Sequence, residues 1–306
     1  MAGLKQIKSK IRSVEKTQTV TKAMEAVSAA KMRKAQLTAL SGRPYALAAA
    51  SILARLSGSQ LLSKHPLTTM RHSVRKLLWI VITSDKGLAG ALNSAVLRGT
   101  WGEMKGCGIP QEDMSVIAVG KKAYDFFSSR GFTIEAYHPN NDLLTAELID
   151  EIVWEATHRF TTGAADVVML AYQRFVSTFE QRSAIRQLFP LEVAQLQNLV
   201  EDIVPKRGAF SEQNTTIVSP AQYTVEPSEE EVIQLIVPKL ASVFVYHALL
   251  ESQASEHSAR MVAMKSASDK AQEMEHLLTL KFNKARQAAI TREVSEITGG
   301  MEAMAT

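Results

Sequence analysis

The order of apolar and polar residues over the last quarter of the chain predicts one very long helix. Residues 232–298 contain no Gly and only Pro238, and about 60 residues of this helix span about 90 Å. Its apolar and small residues recur at spacings of three, four or seven, as Met264, Ala267, Ala271, Met274, Leu278, Ala285 and Ala288. Because such a narrow stripe faces a partner helix rather than a broad core, we expect helix pairing here.

The N-terminal segment has the same pattern and is the predicted partner. A helix is expected from Leu4 to about Leu56, with Gly42 and Pro44 marking a kink or an interruption. Its first stripe consists of Leu4, Ile7, Ile11 and Val14. The stripe is then predicted to slip, since polar residues take the old positions (Gln18, Thr21, Glu25) and apolar residues form a new line (Val20, Met24, Val27).

The middle of the chain alternates between short apolar runs and helical patterns. Strands are predicted at residues 76–83, 114–119, 132–137 and 166–176, with an edge strand at 183–190; helices are predicted after the SDKGLAGALN turn through Met104, and at 121–129 and 143–160. This alternation predicts an α/β domain of Rossmann-like type, with a mostly parallel sheet covered on both faces.

The remaining segments set the predicted domain boundaries. The expected order is a coiled-coil helix at 1–57, a linker at 58–75, the α/β domain at 76–190, an irregular connector at 191–227 and a coiled-coil helix at 228–306. Ser228 precedes three Glu residues, a good N-cap for the last helix. The fold class is therefore α/β with long helices.

Charge is distributed unevenly along this fold. Residues 1–34 hold nine basic and two acidic residues, a net of +7, so the remainder carries −3 of the total of +4. The first helix is a basic arm, and we favour an acidic protein partner over a merely solvated face. The single Cys107 excludes an internal disulfide, and we see neither an apolar run of about 18 residues nor a signal peptide.

Motifs for catalysis, cofactors or metals are weak or missing. The turn with Gly87 and Gly90 and the helix start at Gly120, Lys121 and Lys122 each resemble a phosphate cradle, but no G-x-G-x-x-G or G-x-x-x-x-G-K-[ST] occurs. We therefore favour a tight turn at the first place and an ordinary helix start at the second. The seven His are scattered, G-x-S-x-G is missing, and His257 is expected to be a packing or solvated residue. No catalytic residue, cofactor or metal is expected.

Four strings resemble the γ subunit of F-type ATP synthases. They are TKAMEAVSAAKMRKAQ at 21–36, ITSDKGLAGALN at 82–93, SEHSARMVAMKSASDKA at 255–271 and LTLKFNKARQAAITREVSEITGG at 278–300. The family's C-terminal signature, I-T-x-E-x-x-[DE]-x-x-x-G-A, matches at Ile290, Thr291, Glu293, Glu296 and Gly300. Met301 replaces the expected Ala, and Ala89 stands where many members have Cys.

The resemblance implies an antiparallel coiled coil of the two terminal helices and a role as a non-catalytic rotor shaft. The implied partners are the α and β subunits of the catalytic hexamer, the ε subunit and the membrane c ring. It implies no nucleic acid, membrane contact only through the ring, and a peripheral position on the cytoplasmic face of a bacterial inner membrane.

The resemblance also implies three sets of site residues. Arg286 and Gln287, with Met24 on the facing helix, are expected to form a catch for a β-subunit loop. A basic face toward acidic β loops consists of Lys8, Arg12, Lys31, Arg33 and Lys34, and an apolar bearing tip of Ile297, Met301 and Met304. Two alternatives stay open: an α/β enzyme of flavodoxin-like type with a coiled-coil appendage, and a coiled-coil adaptor or nucleic-acid-binding arm.

Overall fold

The chain divides into two compact units. The computed structural model describes residues 2–56, 60–71, 73–141, 144–191, 226 and 228–305. One unit consists of Met1–Ala30 with Arg260–Thr306, and the other is Lys31–Ala259. Nearly all of the predicted connector at 191–227 lies outside the described residues.

The second unit contains a five-stranded sheet, and the predicted mostly parallel α/β fold is confirmed. The strands are β1 (Leu77–Ile82), β2 (Met114–Val119), β3 (Thr133–His138), β4 (Val167–Phe175) and β5 (Gln181–Phe189). Their order is β3-β2-β1-β4-β5; all neighbours are parallel except β5, which pairs antiparallel with β4 at the edge. The parallel pairing follows from the connections, because a helix lies between each strand and the next from β1 to β4.

Six described α-helices accompany the sheet. They are α1 (Ala2–Leu56), α2 (Gln60–Lys64), α3 (Leu92–Gly106), α4 (Lys121–Ser128), α5 (Ala146–Thr161) and α6 (Glu229–Ala305). Helix α1 continues through Gly42 and Pro44, so the predicted interruption is wrong. A single Pro removes one backbone donor and need not end a helix that is supported on both sides.

Alternate residues of the strands supply two separate apolar clusters, one on each face of the sheet. Leu78, Ile80 and Ile82 of β1 face a cluster that includes α5 and the first part of α6. Trp79 and Val81 face the other cluster, which includes α3 and α4. Both faces are therefore dry, which explains why β1 is a continuous apolar run.

The segment predicted as a linker contributes to the first cluster. Leu62 of α2 and the nearby Leu67 are almost fully buried, and Leu67 O accepts a hydrogen bond from Leu191 N at 2.8 Å. Asp166 anchors the end of this segment by accepting hydrogen bonds from Arg75 N and Lys76 N, both at 2.9 Å. The segment is thus packed against the domain, although its Ser, Thr and Pro residues suggested a loop.

The first part of α6 is the apolar stretch that the sequence analysis missed. It contains an 18-residue window of mean hydropathy 1.6, half of it buried, which by length and composition alone is enough to cross a membrane. Lys239 interrupts the run, which is why no continuous apolar segment was seen. Val237, Leu240 and Phe244 pack in the first cluster, so burial against the sheet accounts for this composition.

Candidate functional site

A regular seam runs along α1 within the first unit. Its members have reduced exposure and alternate at spacings of three and four: Leu4, Ile7, Ile11, Val14, Gln18, Thr21, Glu25 and Ser28. The mean spacing is about 3.5 residues, the repeat that keeps one edge of a helix against a partner in a left-handed coiled coil.

The predicted slip of this stripe after Val14 is wrong. Thr21 and Ser28 on the original seam are only 8% and 3% exposed, whereas Val20 and Val27 on the predicted new stripe are 57% and 55% exposed. The Thr21 hydroxyl donates to the carbonyl oxygens of the preceding turn, at 3.0 Å. A polar side chain satisfied by its own helix can be buried at little cost, so the seam continues through polar residues.

The matching seam on α6 is equally regular. It consists of Met264, Ser268, Ala271, Glu275, Leu278, Phe282, Ala285 and Ala289, each with reduced exposure. Of the seven predicted positions, four are confirmed on this seam (Met264, Ala271, Leu278, Ala285), and Ala267 beside it also has reduced exposure. Met274 and Ala288 are exposed and were assigned wrongly. The two segments form the antiparallel coiled coil of the first unit.

The end of α6 leaves this pairing. The described side chains at 290–298, 300 and 301 are all exposed. They continue a second line of exposed positions, again spaced by three and four, which we call the outer stripe: Leu280, Asn283, Gln287, Ile290, Val294, Ile297 and Met301. Exposed apolar residues in such an array mark a surface for another protein.

The predicted catch residues do not all lie together. Arg286 and Gln287 are exposed and follow the seam residue Ala285. Ala289 and Leu4 are the last and first described seam residues of the pair, so they mark one end of it. Arg286 lies about 4.5 Å along α6 from that end, whereas Met24 lies about 30 Å along α1 from it. By this count Met24 lies at another level of the pair than Arg286 and Gln287, and a common role for the three residues stays a prediction.

The other predicted site residues follow the same helices. Lys8, Arg12, Arg33 and Lys34 are exposed, and Lys31 is partly buried. Ile297 and Met301 lie on the outer stripe. The side chain of Met304 lies outside the described part of the chain, although its backbone belongs to α6.

The ligand crevice expected in this kind of sheet is filled by the protein. In open α/β sheets, ligands bind at the carboxyl ends of strands where the strand order reverses, here between β1 and β4. Gln173, buried at the end of β4, donates through its backbone N–H to Ser252 Oγ at 3.2 Å and through Nε2 to Leu92 O at 2.7 Å. Ser255 Oγ donates to Gln173 O at 3.3 Å. Helix α6 thus occupies the place of a substrate.

The second possible phosphate cradle is also occupied. The N–H groups that begin α4 are bound by the protein: Lys121 N donates to Asp85 Oδ1 at 2.7 Å, and Ala123 N donates to Thr83 Oγ1 at 2.9 Å. The Asp85 carboxylate therefore takes the position that an anion would take at a helix N-terminus. Gly120 joins the end of β2 to the start of α4. Its φ is 94°, and its backbone packs closely on Thr83.

Histidines in the described residues do not assemble a metal site, and no group of three or more His, Cys, Asp or Glu there could hold one. His257 is buried in α6, as expected of a packing residue. His138 lies 3.6 Å from Glu151, and burial lowers its pKa although Glu151 and Glu155 act in the opposite direction. This partly buried His on β3 supports packing of α5 rather than chemistry.

Sequence reasoning missed the three serines that dock α6. Ser252 and Ser255 bind the end of β4, and Ser258 Oγ donates to Thr178 O at 2.7 Å in the following turn. Their spacing of three residues places them along one side of the helix. This spacing was the available signal, but small polar residues in a long helix are usually solvated.

Comparison with known proteins covers almost the whole chain. A family described as ATP synthase matches residues 3–304. The ATP synthase gamma chains of Heliobacterium modesticaldum and Pelotomaculum thermopropionicum are 39% and 38% identical to it, over 99% of this chain and 100% of theirs. The gamma chain of Stenotrophomonas maltophilia is 38% identical over the same shares.

Solved structures have the same architecture. A chain from the central stalk and c-ring structure of Tetrahymena thermophila mitochondrial ATP synthase has a TM-score of 0.57 and 25% identity, covering 81% of this chain and 99% of that one. A chain from Euglena gracilis mitochondrial ATP synthase has a TM-score of 0.64 over 99% and 95%; at 20% identity it shows the fold alone. With its paired helices, filled crevice and full-length relatives, this chain belongs to the ATP synthase gamma chain family.

Proposed function

We propose that this chain is the central rotor shaft of a proton-translocating F-type ATP synthase. The observation that carries the proposal is the exposed end of α6, where an apolar outer stripe continues after the pairing with α1 has ended. Exposure of Ile290, Val294, Ile297 and Met301 to water in one line is unfavourable, and contact with a surrounding protein would remove this apolar surface from water. The catalytic hexamer of α and β subunits is that surrounding protein.

The shaft acts by presenting different faces to the three catalytic β subunits. Each β subunit has a few conformations, and the face in contact with it stabilises one of them over the others. Rotation driven by the membrane ring then moves each site through binding of ADP and phosphate, ATP formation and release. Hydrolysis of ATP drives the same motion in reverse.

Paired helices suit the transmission of torque. Deforming a coiled coil requires side chains to leave their packed positions along the seam, which a single helix does not require. Helix α6 is also anchored in the α/β core through Val237, Leu240 and Phe244. Torque applied to the α/β domain therefore enters the same helix whose distal part faces the hexamer.

The chain itself is proposed to be non-catalytic and to need no cofactor. Its crevice between β1 and β4 is closed by hydrogen bonds from Gln173 to α6 and α3, and Asp85 occupies the start of α4. These contacts argue against the flavodoxin-like enzyme, because a nucleotide would have to displace buried partners in the crevice and a carboxylate at the start of α4.

Arg286 and Gln287 are the proposed catch for a loop of one β subunit. Gln287 lies on the outer stripe and interrupts its apolar residues with a donor and an acceptor, and the exposed Arg286 precedes it. An Arg guanidinium can engage a carboxylate with two parallel hydrogen bonds. Met24 is proposed to act at a separate level, where it flanks the seam of α1.

The remaining contacts are of two kinds. Ile297, Met301 and Met304 form the proposed bearing tip, since apolar contact is non-directional and lets a surface turn without deep energy minima. Lys8, Arg12, Lys31, Arg33 and Lys34 are proposed to face acidic β loops. Exposed ion pairs contribute only about 0 to 1 kcal/mol each, so this face acts collectively.

The proposed position is peripheral, on the cytoplasmic face of a bacterial inner membrane. The chain would bind the α and β subunits around α6 and the ε subunit and membrane c ring through the α/β domain, with no direct contact to lipid or nucleic acid. Full-length similarity to bacterial gamma chains supports this placement.

The test is to purify the tagged chain with its bound subunits and to assay it alone. We expect α, β and ε subunits to co-purify, identified by mass spectrometry, and the isolated chain to hydrolyse no ATP. Stoichiometric, micromolar binding of ATP to the pure chain by calorimetry would contradict the proposal.

A further inference from the structure

A pocket that opens to solvent lies at the amino ends of the strands. Met114 begins β2 and Phe132 immediately precedes β3, so this pocket and the filled crevice are at opposite ends of the sheet. Its volume is about 200 Å³, and two polar residues join an otherwise apolar lining: Trp101, Met104, Lys105, Ile109, Gln111, Met114 and Phe132. All of these residues belong to the unit Lys31–Ala259.

The apolar part of this pocket has the size for one aromatic ring. Met104, Met114 and Phe132 are only 2%, 3% and 7% exposed, so the deep wall of the pocket is the surface of the core. An apolar cavity of about 150 Å³ holds a benzene molecule. The rings of Trp101 and Phe132 meet edge to face, with centroids 5.6 Å apart, and a third ring can pack on them in the same way. Flexible Met side chains adapt to such a ligand.

Lys105 supplies hydrogen-bond donors at the pocket. Its ammonium lies 4.6 Å from the centroid of the Trp101 ring, and no acceptor or carboxylate among the described residues binds it. Lys105 also lies in the last turn of α3, where a cation offsets the helix dipole. Neither the dipole nor the ring occupies the N–H donors, so they remain for water or for a ligand oxygen.

Gln111 supplies an acceptor. Its Nε2 donates to Arg130 O at 2.8 Å, which identifies the other end of the amide as the oxygen. Within the described part of the chain, Gln111 Oε1 accepts no hydrogen bond. A single hydroxyl group suits both polar residues, because its oxygen accepts from Lys105 and its O–H donates to Gln111.

The charges around the pocket favour an uncharged ligand. The same segments carry both signs, so neither sign dominates the approach: Glu103, Lys105, Glu112, Asp113 and Arg130. An anion or a cation would meet a like charge nearby, whereas a neutral hydroxyl meets only its donor and its acceptor.

We infer that this pocket binds a small, uncharged phenol. The ring packs on Trp101 and Phe132, and the hydroxyl binds Lys105 Nζ and Gln111 Oε1. The inference goes beyond the proposed shaft function and does not depend on it, because the pocket lies wholly within one unit of this chain.

The test is titration of the full chain with phenol, followed by NMR of the tryptophan indole N–H groups in ¹⁵N-labelled protein. Trp101 lines the pocket, whereas Trp154 on α5 is 64% exposed and serves as the internal control. Trp101→Phe identifies the signal of Trp101. We expect that signal alone to shift, saturating with a dissociation constant of about 1 mM, which a ligand of this size can reach.

Two matched variants test the role of Lys105. Lys105→Met keeps the apolar stem and removes the donors, so it should weaken phenol binding about tenfold and leave toluene binding unchanged. Lys86→Met changes an exposed Lys that follows the other end of β1, and phenol should bind it as it binds wild type. Circular dichroism should match wild type for both variants, because both side chains are exposed.

Several results would overturn the inference. They are a shift that does not saturate, an equal shift of Trp154, toluene binding as tight as phenol binding, and equal effects of the two Lys variants. N-acetyl-tyrosinamide represents a tyrosine side chain of a partner protein and should bind more weakly than phenol. Tighter binding of that compound would replace the small ligand with a partner's tyrosine. None of these results bears on the shaft function, which co-purification of the α and β subunits tests separately.

Discussion

Replacing Gly120 with Ala should destabilise the α/β domain strongly, and the structure sets the magnitude. A Cβ at this position would lie 2.1 Å from Thr83 O and 2.7 Å from Thr83 C. Thr83 has little freedom to move, since Thr83 N donates to Val119 O at 2.8 Å and Thr83 O accepts from Asn140 Nδ2 at 2.7 Å. Moving the strand end away would therefore break hydrogen bonds on both sides.

Two costs add for this variant. The backbone at Gly120, with φ at 94° and ψ at 143°, lies close to a region that is essentially restricted to glycine, and it costs a residue with a Cβ about 1 to 3 kcal/mol. Relieving the overlap in a packed region costs about 1 to 3 kcal/mol more. We therefore expect Gly120→Ala to lower the free energy of unfolding by about 2 to 6 kcal/mol, the sum of these ranges.

Urea unfolding followed by tryptophan fluorescence measures this loss. All three Trp residues lie in Lys31–Ala259, so the signal reports on the α/β domain rather than on the paired helices. Gly108→Ala is the matched control, because Gly108 has a φ of 72° but no atom within 4 Å of an added Cβ. The control should lose only the backbone contribution, about 1 to 2 kcal/mol. Equal losses in the two variants would refute the steric argument.

Three further predictions concern the shaft and the domain. Arg286→Ala should slow ATP hydrolysis by the assembled complex by about one to two powers of ten, since a charged hydrogen bond contributes about 1.5 to 3 kcal/mol. Turnover at the wild-type rate would refute the catch. The circular dichroism of the isolated chain should not change, and a loss of helicity would mean that Arg286 has a structural role. Ser28→Asp should cost about 2 kcal/mol or more of coiled-coil stability in thermal unfolding, whereas the exposed Val20→Asp should cost about 0.5 kcal/mol or less; equal effects would contradict the observed seam. Asp166→Asn should make the stability of the α/β domain depend less on pH in acid. Burial raises the pKa of Asp166, but two backbone hydrogen bonds and the charge of Arg71 lower it overall. The stabilisation by the Asp166 carboxylate is therefore present above about pH 4 and is lost as the pH falls through the lowered pKa. The urea unfolding midpoints of wild type and Asp166→Asn, measured from about pH 2 to about pH 7, test this prediction. Identical pH profiles of the two proteins would count against it.

The sheet was predictable because its signals are local. Strand β1 is buried on both faces and reads as an unbroken apolar run, and the helices between strands require parallel crossovers. The edge position of β5 was also expected, and its antiparallel pairing with β4 follows from a short turn. Each of these features depends on neighbouring residues rather than on distant contacts.

The phase of the seam was not predictable in the same way. Apolarity favoured Val20 and Val27, but a coiled coil selects positions by their 3.5-residue repeat, and Thr21 and Ser28 occupy those positions. The level of Met24 relative to Arg286 was not predictable for a related reason. The level at which residues of two antiparallel helices meet depends on where the pairing ends, and composition does not contain that information.

The filled crevice depends on contacts distant in sequence. Gln173 and Ser252 are 79 residues apart and meet only because α6 packs across the end of the sheet. This contact could not be predicted without knowing how α6 packs.

The polar residues of the seam also decide how the two helices resist slipping past each other. An all-apolar seam looks the same after a displacement of seven residues, about 10.5 Å, so under load such a pair can re-engage one heptad away. Gln18 and Glu25 interrupt that repeat on α1, as Ser268 and Glu275 do on α6. Because the two polar residues on each helix are seven residues apart, a displacement of one heptad moves one of them into the place of the other and the second one away from its polar neighbours. The polar part of the seam therefore opposes slippage and helps to keep the angular setting of the shaft while it is twisted.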